Sequence, residues 1–306
     1  MSNPVEIIID GRGVAETPAS AAVNLADAQR RILTDSDFYW REQDGLKLLV
    51  CRPLEDAGFV NGFSTRVGGV SDMRGNGSGG DLNLAGYDED LTENIEENRR
   101  RFLSLFPGER RLATAWQVHG DGVKIVDSPE AAAATEERFD SLVSDMPGLL
   151  LGVKTADCVP VLIGDPRTGS FAAIHAGWRG TVRSIVAKAV MKMVENYSAV
   201  PADMIAAIGP AACGRNYEIG EEVIAEFTES FPEADKYFSE TRPGHALIDL
   251  HAANRDQLIA AGLAPGHIFV SSLCTMEMKD LFFSYRVEKS KYGRTGRLMS
   301  VIGRNV

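Results

Sequence analysis

The sequence predicts an α/β fold, and three observations carry that prediction. From residue 45 onward, short apolar runs of strand length alternate with segments whose hydrophobic residues recur at helical spacing. The chain has 306 residues, 44% of them hydrophobic, enough for one large domain or two small ones with a core far above the marginal size. No repeat of roughly 20–50 residues is visible, which sets aside solenoids and propellers.

In chain order, residues 1–44 read as an N-terminal extension: a β-prone piece at Val5–Ile9, a glycine turn, then the helix-like "SAAVNLADAQRRIL". Residues 45–306 carry the domain. Strands are expected at 47–51, 59–65, 123–126, 149–154, 159–163, 170–175, 203–208, 267–272, 281–286 and 297–302, where apolar runs lie between turn formers. "GDPRTG" is a turn, since proline presets one dihedral and glycine accepts positive φ. Helices are expected at 92–106, with Ile95, Phe102, Leu103 and Phe106 on one face, and at 181–196, with Val182, Ile185, Val186, Val190 and Met193. Two more are expected at 220–231 and 249–262. Thr92, Thr181 and Asp249 each suit an N-cap. The glycine-rich "MRGNGSGGDLN" reads as a surface loop and not as a domain boundary.

The net charge of −11, from 32 Lys and Arg against 43 Asp and Glu, argues against nucleic acid or an anionic membrane as partner. A small-molecule substrate fits better. No sequence feature specifies an oligomeric state. Four cysteines, Cys51, Cys158, Cys213 and Cys274, lack any C-x-x-C pair, so they read as reduced thiols. With no signal peptide and no apolar run of membrane-spanning length, a cytoplasmic protein is expected.

Gly75, Gly77 and Gly80 spell a literal G-x-G-x-x-G, yet no strand leads directly into it and no helix directly follows, so a dinucleotide turn is not supported. P-loop, H-E-x-x-H, EF-hand and G-x-S-x-G motifs are absent, as is the signature of zinc nucleobase deaminases.

One constellation survives. His119 in "ATAWQVHGDGV", Cys158 in "LLLGVKTADCVPVLIGD" and His175 in "FAAIHAGWRGT" each sit at a predicted strand end beside a loop, where α/β sheets present binding groups. Two imidazoles and one thiolate suit Zn²⁺ and leave a fourth position for water. No local spacing motif links them, so two other readings stand beside it. Cys158 and His175 read equally as a nucleophile and base pair, or as a small core residue and a hydrogen-bonded histidine. Arg66 and Arg179, each near glycines, are candidates to clamp phosphate or carboxylate. Asn83 and Gln117 are candidates to orient a polar heterocycle, and Trp116 and Trp178 to stack on it.

With these residues assembled, the chain resembles the YfiH-type laccase-domain family, also labelled multicopper polyphenol oxidase. The resemblance runs from about residue 59 to 302 through "GFSTRVGGVS", "LNLA", "NRRRF", "WQVHG", "PGLLLGVKTADCVPVLIGD", "AIHAGWRGT", "AIGPAACGRNYEIGEEV", "DLHAANRDQL", "FFSYR" and "TGRLMSVIG". "TADCVPVL" and "HAGWRGT" are its most specific parts. It departs from the common pattern at Cys213 and Gly214, where glycine and proline are usual, and in a longer loop at 72–81.

The resemblance implies a single domain with a layered mixed β-sheet flanked by helices, similar to toxin deamidases with a Cys-His pair. It implies Zn²⁺ held by His119, Cys158 and His175, with copper the other ion such ligands accept. It also implies a purine nucleoside enzyme: phosphorolysis of adenosine, inosine, guanosine or methylthioadenosine, and hydrolytic deamination of adenosine. For deamination the metal would supply an activated water and Asp157 would move the proton, and for phosphorolysis Arg66 and Arg179 would position phosphate. Some relatives edit peptidoglycan precursors, which suggests a hydrolase or amidase as the alternative. The laccase label fits poorly, because a multicopper centre needs on the order of ten imidazoles, whereas the chain has five histidines.

Overall fold

Side-chain alternation along the central strands sorts the core into layers. The computed structural model describes residues 37–305. The chain forms β1 (Phe38–Gln43), β2 (Leu46–Cys51), α1 (Arg52–Asp56), β3 (Phe59–Ser64), β4 (Val67–Ser71) and α2 (Thr92–Leu103). Then come β5 (Arg111–Ala113), β6 (Val123–Ile125), α3 (Pro129–Ala133), β7 (Ser141–Ser144), β8 (Leu149–Thr155), β9 (Val159–Gly164) and β10 (Phe171–Ala176). Next are α4 (Trp178–Val182), α5 (Ile185–Tyr197), β11 (Ile205–Ile208), β12 (Glu218–Gly220), α6 (Glu221–Ser230) and β13 (Phe238–Arg242). The last are β14 (His245–Ile248), α7 (Leu250–Ala260), β15 (Ile268–Val270), α8 (Tyr285–Tyr292) and β16 (Leu298–Arg304).

One six-stranded sheet has the order β1-β2-β3-β16-β8-β5, the other β15-β11-β9-β10-β7-β6, and β12-β14-β13 form a small third sheet. Pairing is mixed: β5 with β8, β6 with β7 and β11 with β15 are parallel, and the remaining pairs are antiparallel. On β9 and β10, Val161, Ile163, Ala172 and Ile174 face Val186 and Val190 of α5 and Leu258 of α7. Their neighbours Leu162, Phe171 and Ala173 face the other way, toward Phe59 and Phe63 of β3 and Leu151 and Val153 of β8. Leu150 of β8 packs on Phe102 of α2, beneath the first sheet. The order of layers is helix, sheet, sheet, helix, so the expected layered mixed fold is present.

The two apolar runs of "LLLGVKTADCVPVLIGD" look like a strand pair, but β8 and β9 belong to different sheets. Residues 156–158 carry the chain from one sheet to the other. Asp157 takes the corner at φ 85°, a region that side-chain-bearing residues rarely enter.

Several expectations need correction. β1 lies inside the segment read as an extension, yet pairs with β2 from Phe38↔Cys51 to Gln43↔Leu46 through a tight turn at Asp44 and Gly45, both at positive φ. The predicted pieces further upstream lie outside the described residues. The segment 281–286 is no strand, because the Ser284 hydroxyl accepts the Val287 N–H and starts α8. The helix expected at 181–196 is broken at Ser184, which has φ 60°. Thr181 therefore lies inside α4, its hydroxyl donating to the Gly177 carbonyl. Thr92 is the first helical residue after Leu91, with no side-chain cap, whereas Asp249 does cap α7 by accepting the Ala252 N–H. Among the described residues, no helix is long and apolar enough to cross a membrane.

Between the sheets, a glycine of one faces a phenylalanine of the other. A Cβ on Gly164 would lie 2.6 Å from ring carbons of Phe59, which is itself pinned edge-on against Phe171 at 6.4 Å between centroids. Gly164→Ala should lower the urea midpoint by an amount equivalent to about 1–3 kcal/mol at unchanged m. Adding Phe59→Leu to Gly164→Ala should cost less than the two single losses summed. Strict additivity would place the strain elsewhere.

Candidate metal centre

The inter-sheet corner and the end of β10 meet by register. Ala176 pairs with Val159 and His175 with Pro160, so His175 arrives beside Cys158. Period-two alternation places Ile174 and Ala176 toward the helices and His175 on the face between the sheets. His119 comes from the loop between β5 and β6, with φ 57°.

The ligand atoms of His119, Cys158 and His175 lie within 4.8 Å of one another. The two imidazole rings meet edge to face, with centroids 4.9 Å apart. His175 is buried, Cys158 half-buried and His119 exposed, so the cluster opens to solvent on one side. A Cβ added to Gly177 would lie 3.2 Å from His119 Cδ2, 3.3 Å from Cys158 Sγ and 3.8 Å from His175 Cε1. Glycine at 177 thus keeps a space against all three side chains. Ligand bonds of about 2.0–2.3 Å to nitrogen and sulfur place tetrahedral donors roughly this far apart, so the residues fit a single zinc-like ion.

One buried carboxylate organises this arrangement. Asp140 accepts backbone N–H bonds from Val118 at 3.1 Å, His119 at 2.9 Å and Gly120 at 2.7 Å. It also meets His175 Nδ1 at 2.8 Å, while its own carbonyl accepts the His175 backbone N–H. Nδ1 is therefore the protonated nitrogen, and Nε2 is left for Cys158 or an ion. Burial alone would raise the Asp140 carboxyl, but His175 and the N–H groups of Gly120 and Val118 outweigh it and hold it below the usual range. Burial opposes charge on Cys158 and His175 too, yet each stabilises the other. Helped by His119, the Cys158 thiol falls to about 6. Helped by Asp140, the His175 imidazole rises to about 9.

The other predicted site residues have protein partners of their own. Arg66 is buried, with its guanidinium bound to Asp81 at 2.7 Å, to Glu288 at 2.5 Å and to the Lys279 carbonyl at 3.0 Å. Four of its five N–H groups are engaged, so no pair of donors is left to clamp phosphate. Asn83 is buried, donating to Asp90 and accepting the Arg297 N–H. Gln117 clasps the backbone of Lys154, accepting its N–H at 2.8 Å and donating to its carbonyl at 2.7 Å. Arg179 lies exposed over the Trp178 ring, 3.8 Å from Glu222.

The Asp157 carboxylate accepts from the Thr275 hydroxyl on one oxygen and from the Ser284 hydroxyl and Arg286 N–H on the other. Burial pushes its pKa up against these donors. Both oxygens are engaged, so Asp157 holds the corner in place instead of standing free as a proton shuttle.

Sequence reasoning missed Asp140, whose partners lie 20 to 35 residues away. It also missed Tyr217 and Arg286, whose guanidinium lies 5.0 Å from the Tyr217 ring centre. Burial and the nearby Cys158 charge push the Tyr217 phenol up. Cys213, Cys274 and Glu277 form a second cluster, but the Asn216 amide already occupies its focus. Asn216 Nδ2 lies 3.3 Å from Cys213 Sγ, 3.7 Å from Cys274 Sγ and 2.7 Å from Glu277 Oε1. Burial pushes the Cys213 thiol up to about 11, so it stays protonated.

In metal-stripped protein, alkylation of Cys158 by iodoacetamide should be half-maximal near pH 6, because its lowered pKa keeps the thiolate above that pH and loses it below. Asp140→Asn removes the charge supporting the His175 imidazolium, so the midpoint should move toward the ordinary thiol value of about 8.5, and metal affinity should fall about 10- to 100-fold. An unmoved midpoint would contradict the assigned role of Asp140.

Against known proteins, residues 60–305 match the family model described as multi-copper polyphenol oxidoreductase laccase. The chain is 34% identical to "Purine nucleoside phosphorylase YlmD" of Geobacillus stearothermophilus, over 86% of this chain and 96% of that protein. It is 39% identical to "Purine nucleoside phosphorylase" of Deinococcus radiodurans, over 79% of this chain and 87% of that one. Among solved structures, YlmD from Geobacillus stearothermophilus superposes with TM-score 0.78 at 35% identity, covering 89% of this chain and 100% of that one. YfiH from Bacillus licheniformis gives TM-score 0.78 at 30% identity, covering 87% and 99%. The chain belongs to the multi-copper polyphenol oxidoreductase laccase family, the YfiH-type laccase-domain proteins.

Proposed function

We propose that the protein is a zinc-dependent purine nucleoside phosphorylase, cleaving a nucleoside such as adenosine, inosine, guanosine or methylthioadenosine with phosphate to free base and sugar 1-phosphate. The supporting observation is the His119, Cys158 and His175 cluster opening beside Gly177, in a chain akin to proteins named for that activity. These three side chains would hold the ion, which when bound supplies Lewis acidity toward a substrate oxygen or nitrogen.

The protein's own groups do the rest. Asp140 fixes the tautomer of His175, Gly177 leaves room for substrate, and Tyr217 with Arg286 offers polar groups beside Cys158. Trp116 and Tyr285, 57% and 49% exposed, present aromatic faces close in sequence to His119 and Arg286, suited to stacking on a purine. Phosphorolysis is preferred to deamination of adenosine because the Asp157 oxygens are both engaged. A multicopper centre does not fit: His251 is buried on the Gly209 carbonyl, and His245 and His267 contact other carbonyls, which leaves two histidines at the cluster.

A second reading has its own support. Asp140, His175 and a thiol near pKa 6 form an acid, base and nucleophile series, suited to an amidase or hydrolase of a cell-wall precursor.

The test is adenosine turnover with and without phosphate, products separated by chromatography. Adenine and ribose 1-phosphate should appear only with phosphate, and a folded His175→Ala variant should lose at least about 100-fold. Inosine formed without phosphate would replace phosphorolysis by deamination. Turnover resistant to chelator but stopped by alkylation would favour the thiolate.

A further inference from the structure

Phosphorolysis needs an oxyanion site, and the two arginines expected to supply it are engaged with other groups of the protein. Arg66 is held by Asp81 and Glu288, and Arg179 lies out over Trp178. Two other cations are set differently. On β8, Leu149, Leu151 and Val153 face the gap between the sheets, so Lys154 extends on the opposite side with Leu150, under α2. On α2, Arg99 follows Ile95 by four residues and precedes Phe102 by three, which turns it inward with those buried side chains. The two approach from facing layers.

Neither has a carboxylate within ion-pair distance among the described residues. Lys154 Nζ donates to the Ala115 carbonyl at 2.7 Å, and Arg99 Nε to the Leu84 carbonyl at 2.9 Å. The remaining ammonium protons and the terminal guanidinium N–H groups have no acceptor among the described residues. Burial together with the Arg99 charge pulls the Lys154 ammonium down to about 8. The two like charges are half-buried and lack a carboxylate, Arg99 having besides the Leu84 carbonyl only the Tyr87 ring at 5.4 Å, so an anion shared between them would relieve their repulsion. Gln117 locks the Lys154 backbone to the loop that carries His119, which ties Lys154 to the metal centre.

We propose that Arg99 and Lys154 form a subsite for a phosphoryl oxyanion, the guanidinium offering its planar fork and the ammonium a point charge. Its assignment to the orthophosphate co-substrate rests on the phosphorolytic reading above. The anion site itself does not. The same chemistry is carried by a nucleoside 5′-monophosphate, so both ligands enter the test.

The experiment is calorimetric titration of the full chain, without nucleoside, with inorganic phosphate and separately with adenosine 5′-monophosphate. Wild type should bind one phosphate per chain. Arg99→Gln and Lys154→Met should each weaken it about 10- to 100-fold, the effect of losing a charged hydrogen bond, with metal content unchanged. Arg99→Lys, which keeps charge but not the fork, should fall between and serves if Arg99→Gln does not fold. Stronger binding of the monophosphate than of phosphate would assign the site to the nucleotide and overturn its co-substrate role.

Phosphate binding by wild type that is equal in the folded variants, or absent, would overturn the subsite. In turnover, the variants should raise KM for phosphate while leaving KM for nucleoside in place. Phosphorolysis with an unmoved phosphate KM would refute the subsite and spare the activity. Phosphate binding lost in the variants, with no nucleoside cleaved by wild type, would do the reverse.

Discussion

The Asp140 carboxylate is the interaction on which the site depends. It is fully buried, and it collects three consecutive backbone N–H groups from the His119 loop and the ring nitrogen of His175. A carboxylate away from water must find donors to stay ionised, and here the donors are the site's own parts. One charge therefore fixes the loop carrying one imidazole and the tautomer of the other. Without it, His119 would have no reason to hold its left-handed backbone, and His175 could turn either nitrogen toward Cys158.

The second constraint is topological. The chain leaves the first sheet for the second at 156–158, between β8 and β9, and the chemistry sits at that corner. A corner cannot continue a ladder, so it must be held by other contacts. Asp157 supplies them to Thr275, Ser284 and Arg286, segments far along the chain, and thereby closes the site's wall while Cys158 turns toward the histidines. Strain at φ 85° is held there by those three donors. The polar insert between two apolar runs is a hinge of the architecture before it is a reagent.

Much of this was legible in the sequence. Alternating strand and helix patterns gave the class, because burial of a sheet between layers forces near-continuous apolar runs such as Val159–Gly164. His119, Cys158 and His175 stood out as polar groups at the ends of such runs, and the resemblance singled out the same three. What local pattern cannot carry is partnership over distance. Arg66 beside glycines looks like an anion clamp until Asp81 and Glu288 are folded onto it. Asp140 looks like any acid before a strand. Phe282 and Phe283 look like strand residues, and only the Ser284 cap shows that a helix follows. β1 is hard to read because its second half, Arg41, Glu42 and Gln43, is polar and its Asp-Gly turn falls at the border of the extension.

The central claim is that His119, Cys158 and His175 hold one metal ion through two nitrogens and one sulfur. X-ray absorption at the zinc edge, on protein purified without a metal-affinity step, addresses it most directly. The account predicts about one zinc per chain, with nitrogen scatterers at about 2.0–2.1 Å and one sulfur at about 2.3 Å. A protein free of metal, or a zinc surrounded only by nitrogen and oxygen, would contradict it.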